Sequence, residues 1–250
     1  MRRLSSVLVL LLLCAVFFVI GAHAEKKEVT FRSADGFTLK GTFYSAEKPG
    51  PGLLLLHQCD GNRRIYDHLA TMLNTARYNV LTFDFRGFGE SQAGEYTDSA
   101  AQRQMDRMPG DIEAALSFLT SQSSVNPRAV GIVASNCAVN QAVHAGRHHP
   151  EIRTLVLLSG GTDAEGEAYI KDSPKVPILG VASEEDREAA AATKKLVALS
   201  TNRDSHLEMF TNGGHGASIF AKQPDLEPDI VIWFISNLPL AGYGLPPAIK

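Results

Sequence analysis

The stretch Ala129-Val130-Gly131-Ile132-Val133-Ala134-Ser135-Asn136-Cys137-Ala138-Val139-Asn140 runs from an apolar strand through small residues into a helix of Ala, Val and Gln. A strand-to-helix turn of this kind lifts its apex residue above the end of a sheet, where neighbouring backbone N–H groups can bind an oxyanion. The turn is so tight that the residues two before and two after the apex must be small. Ala134 and Ala138 meet that demand around Asn136. With Cys137 at the apex the flanks are Ser135 and Val139, and with Ser135 they are Val133 and Cys137. Each alternative puts a β-branched side chain where strand and helix cross most closely. Sterics therefore favour Asn136, and an amide is not a nucleophile.

Around this turn the chain alternates strands and helices. Residues 28–32 and 37–44 alternate apolar and polar side chains about Ala34-Asp35-Gly36, which predicts an antiparallel hairpin. The Leu run of residues 52–57 predicts a strand buried on both faces. Ile65, Leu69, Met72 and Leu73 mark a helical stripe, residues 79–84 the next strand, and Pro109 the first turn of a helix carrying Ile112, Ala115, Leu116 and Leu119. Further strands are expected at 129–134, 153–158, 176–182 and 206–210, with a last helix opened by Pro228. This order predicts an α/β fold: a doubly wound, mostly parallel sheet with helices on both faces, preceded by an antiparallel hairpin.

At 250 residues and 44% hydrophobic content, the chain suffices for one sizeable core. Arg2 and Arg3, the apolar run from Val7 to Ile20 and Ala22-His23-Ala24 have the layout of a secretory signal peptide. The expected organisation is a leader at 1–24, one domain at 25–238 and an irregular Pro- and Gly-rich tail at 239–250. The expected location is secreted or periplasmic, with no stable membrane insertion once the leader is cleaved. Without Arg2 and Arg3 the chain carries 22 basic and 27 acidic residues, with no basic cluster beyond Arg63-Arg64. Nucleic acid is thereby excluded as a partner class. Cys59 and Cys137 remain, in a compartment that permits disulfides.

Four further stretches fit around the turn. They are His57-Gln58-Cys59-Asp60-Gly61, Phe83-Asp84-Phe85-Arg86-Gly87-Phe88-Gly89-Glu90-Ser91, Val181-Ala182-Ser183-Glu184-Glu185-Asp186 and Asn212-Gly213-Gly214-His215-Gly216. Over roughly residues 28–238 their order resembles the α/β-hydrolase superfamily, nearest its small bacterial dienelactone-hydrolase-like members. The resemblance implies an oxyanion loop at Gln58 and Cys59, the D-x-R-G-x-G-x-S loop at 84–91, a triad acid at Asp186 and a triad histidine at His215. Such relatives often read Gly-Ala-Ser-x-Gly-Ala-Asn at the elbow. Aligned without gaps, Asn140 matches the final Asn, alanines replace the glycines, and Asn136 replaces the catalytic serine. No cofactor or metal is implied.

Acyl transfer on this fold needs an ionisable nucleophile, a histidine to take its proton and a carboxylate to orient that histidine. His215 and Asp186 supply the last two, and the backbone N–H groups of Cys137 and of Gln58 or Cys59 would form the oxyanion hole. Three routes around Asn136 stay open: Cys137 as a thiol nucleophile, Asn136 deamidated to Asp, or Ser135. One reading is thus a hydrolase of small carboxylic esters or lactones, using Cys137, His215 and Asp186. The other is a non-catalytic pseudohydrolase acting as a binding or scaffold protein. Cys59 and Cys137 have two open fates: a disulfide, because in such a fold their loops face each other, which would remove the thiol route, or two reduced thiols whose side chains point apart. Outside the site, His57 is expected to brace its loop and Asp84 to pair with Arg86. Asp163, Glu165 and Glu167 are read as surface charges. His144 and His148, at i, i+4 spacing, fit a solvated helix end better than a metal site.

Overall fold

The computed structural model describes residues 25–46, 48–92 and 105–240. Eight strands form one sheet: β1 (Glu25–Arg32), β2 (Thr38–Ser45), β3 (Gly50–Leu56), β4 (Asn79–Asp84), β5 (Val125–Ser135), β6 (Ile152–Leu158), β7 (Ile178–Ser183) and β8 (His206–Phe210). Their order across the sheet is β1-β2-β4-β3-β5-β6-β7-β8. The two β1–β2 and β2–β4 pairings are antiparallel, and every other pairing is parallel. The expected doubly wound sheet with an N-terminal antiparallel hairpin is therefore present. The expected leader and most of the expected tail lie outside the described residues.

Seven helices among the described residues cover the sheet: α1 (Asp67–Thr75), α2 (Met108–Ser121), α3 (Ala138–His148), α4 (Ala164–Lys171), α5 (Arg187–Leu199), α6 (Ile219–Lys222) and α7 (Leu226–Asn237). Alternate residues of the central strands point to opposite sides, which splits the core in two. Leu54, Leu56, Ile132, Ala134, Leu155 and Leu157 pack with side chains of α2, α3 and α5. Leu53, Leu55, Val133 and Val156 pack with α1 and α7. All these strand residues are fully buried, so the runs at 53–56 and 130–134 read as apolar on both faces. No helix among the described residues is long and apolar enough to cross a membrane.

Most strand limits differ from the sequence expectation by one to four residues, and two of the differences bear on the site. β3 stops at Leu56 because His57 turns its ring into the next loop: Nδ1 donates to the Gln58 carbonyl (2.7 Å) and Nε2 accepts from the Phe85 N–H (3.0 Å). β5 begins at Val125, four residues earlier than expected, and pairs with Gly50 across a register shift between Pro51 and Gly52.

The expected Asp84–Arg86 ion pair does not form. Asp84 instead accepts from the Arg63 N–H (2.7 Å) and the Glu90 N–H (2.9 Å), and pairs with the buried Arg63 guanidinium. Arg86 is held by Asp111 (2.6 Å) and Asp35 (2.7 Å) and lies over the Phe37 ring. The two side chains leave the strand end toward different elements, and each meets a nearer partner of opposite charge. Gly89 completes the first arrangement: at φ +49°, any Cβ there would fall 2.3 Å from the Asp84 carboxylate.

Candidate active site

The apex of the turn is Asn136. Its φ of 53° lies in the left-handed region, which Asn tolerates better than most residues. Ala134 and Ala138 on either side are fully buried, as the steric argument requires. β5 and β6 are parallel neighbours up to Ser135↔Leu158, and the Asn136 N–H continues the ladder to the Leu158 carbonyl (2.9 Å). α3 then starts with Cys137 as its cap. Gly160 passes so close that a Cβ would meet the Asn136 carbonyl at 2.6 Å, so the next strand end can approach only as glycine.

His215 and Asp186 come to this apex from the ends of β8 and β7. Asp186 Oδ2 bonds His215 Nδ1, and its Oδ1 accepts from the Ala189 N–H (3.4 Å) as the cap of α5. The same carboxylate thus both orients the ring and starts a helix. The other ring nitrogen, Nε2, contacts the Asn136 side-chain amide. Asn136, His215 and Asp186 therefore stand in line where a nucleophile, base and acid would stand. With Nδ1 donating to Asp186, Nε2 carries the lone pair, and it accepts from the amide.

Cys137 is placed differently from the thiol reading. Its sulfur is bonded to Cys59, with the two Cα atoms 6.0 Å apart. A disulfide sulfur carries no thiolate, so in this form Cys137 is not a nucleophile. The physical cause is proximity, since β3 and β5 are adjacent strands and their following loops lie side by side. Ser135 is excluded as well. It is fully buried and donates to Gln58 Oε1 (3.1 Å), away from His215.

The Gln58 side chain has a structural part that the sequence did not suggest, with its Oε1 accepting from Ser135. Its side-chain oxygen also accepts from the Ala217 N–H (2.8 Å), and its amide donates to Asp60 (2.6 Å). One side chain thus ties the loop after β3 to the turn at Asn136 and to the histidine loop. Asn140 has a similar part that sequence gave no sign of: its Oδ1 accepts from Thr162 Oγ1 (2.7 Å) and from the Asp163 N–H (3.1 Å). Asp163 caps α4 through the Gly166 N–H (3.0 Å) and pairs with His144 (2.8 Å). Among the described residues no group of three His, Cys, Asp or Glu is placed to hold a metal ion. His57, buried beneath the loop, braces it as expected, and burial pushes its pKa down.

A cavity of about 390 Å³ opens at this point, its lining including Asn136, Cys137, Gly160, Asp186, Glu188 and His215. The sheet order and the turn at Asn136 are those of a hydrolase fold, and comparison with known proteins supports that fold. Residues 48–171 match the family model described as serine aminopeptidase, S33. A thiohydrolase of Aspergillus aculeatus is 27% identical over 130 residues, 52% of this chain and 40% of that protein, so the chain spans well under half of this curated relative. Among solved structures, dienelactone hydrolase from Anabaena variabilis matches with TM-score 0.68 at 16% identity, covering 86% of this chain and 99% of that one. A Pyrococcus furiosus esterase matches with TM-score 0.64 at 18% identity, covering 86% and 94%. The chain has the α/β-hydrolase fold, and it is similar to proteins of that superfamily, a dienelactone hydrolase among them.

Proposed function

We propose that this chain is an exported α/β-hydrolase-fold protein that binds the carbonyl group of a small ester or lactone without forming an acyl-enzyme. The observation that carries this is the contact between Asn136 and His215. At the position where the superfamily places a nucleophile stands an amide, which attacks no carbonyl usefully. That amide also fills the one ring lone pair that would otherwise take a proton. The thiol alternative is tied up with Cys59. What remains is recognition: a cavity of small-molecule size, a polar His215 edge, and the N-terminus of α3, where backbone N–H groups favour an electron-rich oxygen. The leader-like residues 1–24 and an oxidised cysteine pair support export.

A second reading is favoured by one observation, the retained His215–Asp186 bond. In it His215 activates a water that attacks the bound ester directly, after the ring parts from Asn136.

Titration calorimetry of the oxidised protein with γ-butyrolactone and ethyl butyrate separates the readings. The binding reading expects saturable heat with no product, and loss of that heat in His215→Ala. Steady release of acid that disappears in His215→Ala favours the second reading. Neither heat nor product contradicts both.

A further inference from the structure

The disulfide duplicates connections that the fold already makes. β3 and β5, which carry the two cysteine loops, are paired without interruption from Gly52↔Val130 to Leu56↔Ala134. Past the strand ends, Gln58 links the same two loops through Ser135 and adds the histidine loop through Ala217. A bond laid over loops held this way can open without releasing them. Its placement is chemical: Cys137 lines the cavity beside Asn136 and His215, and both cysteines are only partly buried.

We infer that the Cys59–Cys137 bond is a thiol-exchange site, at which a small-molecule thiol attacks Cys59 and releases Cys137 into the cavity. The incoming thiolate forms a bond to Cys59 Sγ, the Cys59–Cys137 bond breaks, and its electron pair leaves on Cys137 Sγ. A second thiolate then attacks the ligand sulfur of the mixed disulfide and displaces Cys59. Two ligand thiols are oxidised to one disulfide and the protein bond is reduced to two thiols, with the two protons ending on the cysteines or in solvent.

The direction follows from the surroundings of each sulfur. Cys137 caps the 11-residue helix α3, whose own first turn carries no acidic residue; of the carboxylates that share its cavity, Asp186 is bonded to His215 and Glu188 lies on the facing helix α5. The partial positive charge at that helix end favours a thiolate. Cys59 is followed at once by Asp60, whose carboxylate opposes negative charge on the neighbouring sulfur. Cys137 is therefore the better leaving group, and exchange is faster when the better leaving group departs.

The test uses the purified oxidised protein and reduced glutathione, quenched with acid, alkylated and mapped by peptide mass. The expected first product carries glutathione on Cys59 and the alkyl label on Cys137. After full reduction by dithiothreitol, circular dichroism should stay native, and at pH 6 Cys137 should alkylate at least about tenfold faster than Cys59, the ordering expected when a helix N-terminus faces one thiolate and not the other. Three results would overturn the inference: a bond that resists dithiothreitol until the protein unfolds, a glutathione adduct on Cys137 instead, or equal alkylation of the two thiols. Because exchange is read by mass with no ester or lactone present, it stands or falls separately from carbonyl binding.

Discussion

The side-chain amide of Asn136 contacts Nε2 of His215, the ring atom that a serine or cysteine hydrolase keeps for its nucleophile. The rest of the line is complete, since Asp186 holds the opposite ring nitrogen. What is altered is one functional group at the apex of an otherwise preserved turn, and the predictions below follow from that and from the bonds that hold the site.

Gln58 is expected to matter for stability and site geometry together. Gln58→Ala deletes bonds to Ser135, Ala217 and Asp60, leaving the buried Ser135 hydroxyl and Ala217 N–H without this acceptor. The expected cost is about 1–3 kcal/mol, read as a lowered midpoint in urea unfolding. An unchanged midpoint would show that the three loops are held by other means.

Asp84 pairs with Arg63 out of contact with water, the two side chains being 1% and 2% exposed. Removing one partner strands the other charge. Asp84→Ala should therefore destabilise by about 3–5 kcal/mol. Arg63 keeps exposed partners in Glu28 and Glu90, which places the expectation at the lower end of that range. A loss under about 1 kcal/mol in the same urea experiment would contradict the assignment.

His57 gives a pH signature. Burial lowers its folded pKa below the ordinary 6.5 by stripping water from the charged ring, against the Gln58 carbonyl, which favours the protonated form; the neutral ring is also the form whose Nε2 can accept from Phe85. A depressed folded pKa means that its contribution to stability is complete above 6.5 and is lost as pH falls from there through the folded value. By ring-proton NMR, His57 should stay neutral while pH passes through 6.5, and a His57→Gln variant should lose less stability than the parent between pH 6.5 and 5. A ring that titrates at its ordinary pKa would refute the burial argument.

The sequence carried the sheet and the catalytic-type line because each rests on a local signal. Strand period, the small flanks of Asn136 and the glycines around His215 are all readable in a few neighbouring residues. The Asp84–Arg86 pairing failed because two charges two residues apart reveal nothing about Arg63 or Asp111, which arrive from distant segments. The side-chain roles of Gln58 and Asn140 were hidden for the same reason, since their partners lie 77 and 22 residues away. Cys137 had two open fates in the sequence, thiol or disulfide. Only the spatial approach of the β3 and β5 loops separates them.

Asn136→Ser tests the central claim most directly. In the oxidised protein the substitution restores hydroxyl, imidazole and carboxylate in line, while the cavity and the disulfide stay as they are. With p-nitrophenyl acetate, the parent protein should hydrolyse no faster than a His215→Ala variant. Asn136→Ser should exceed the parent by at least about tenfold, a small part of what a nucleophile and base together supply. A parent protein that turns over the ester, loses that activity in His215→Ala and gains nothing in a folded Asn136→Ser variant would contradict the claim.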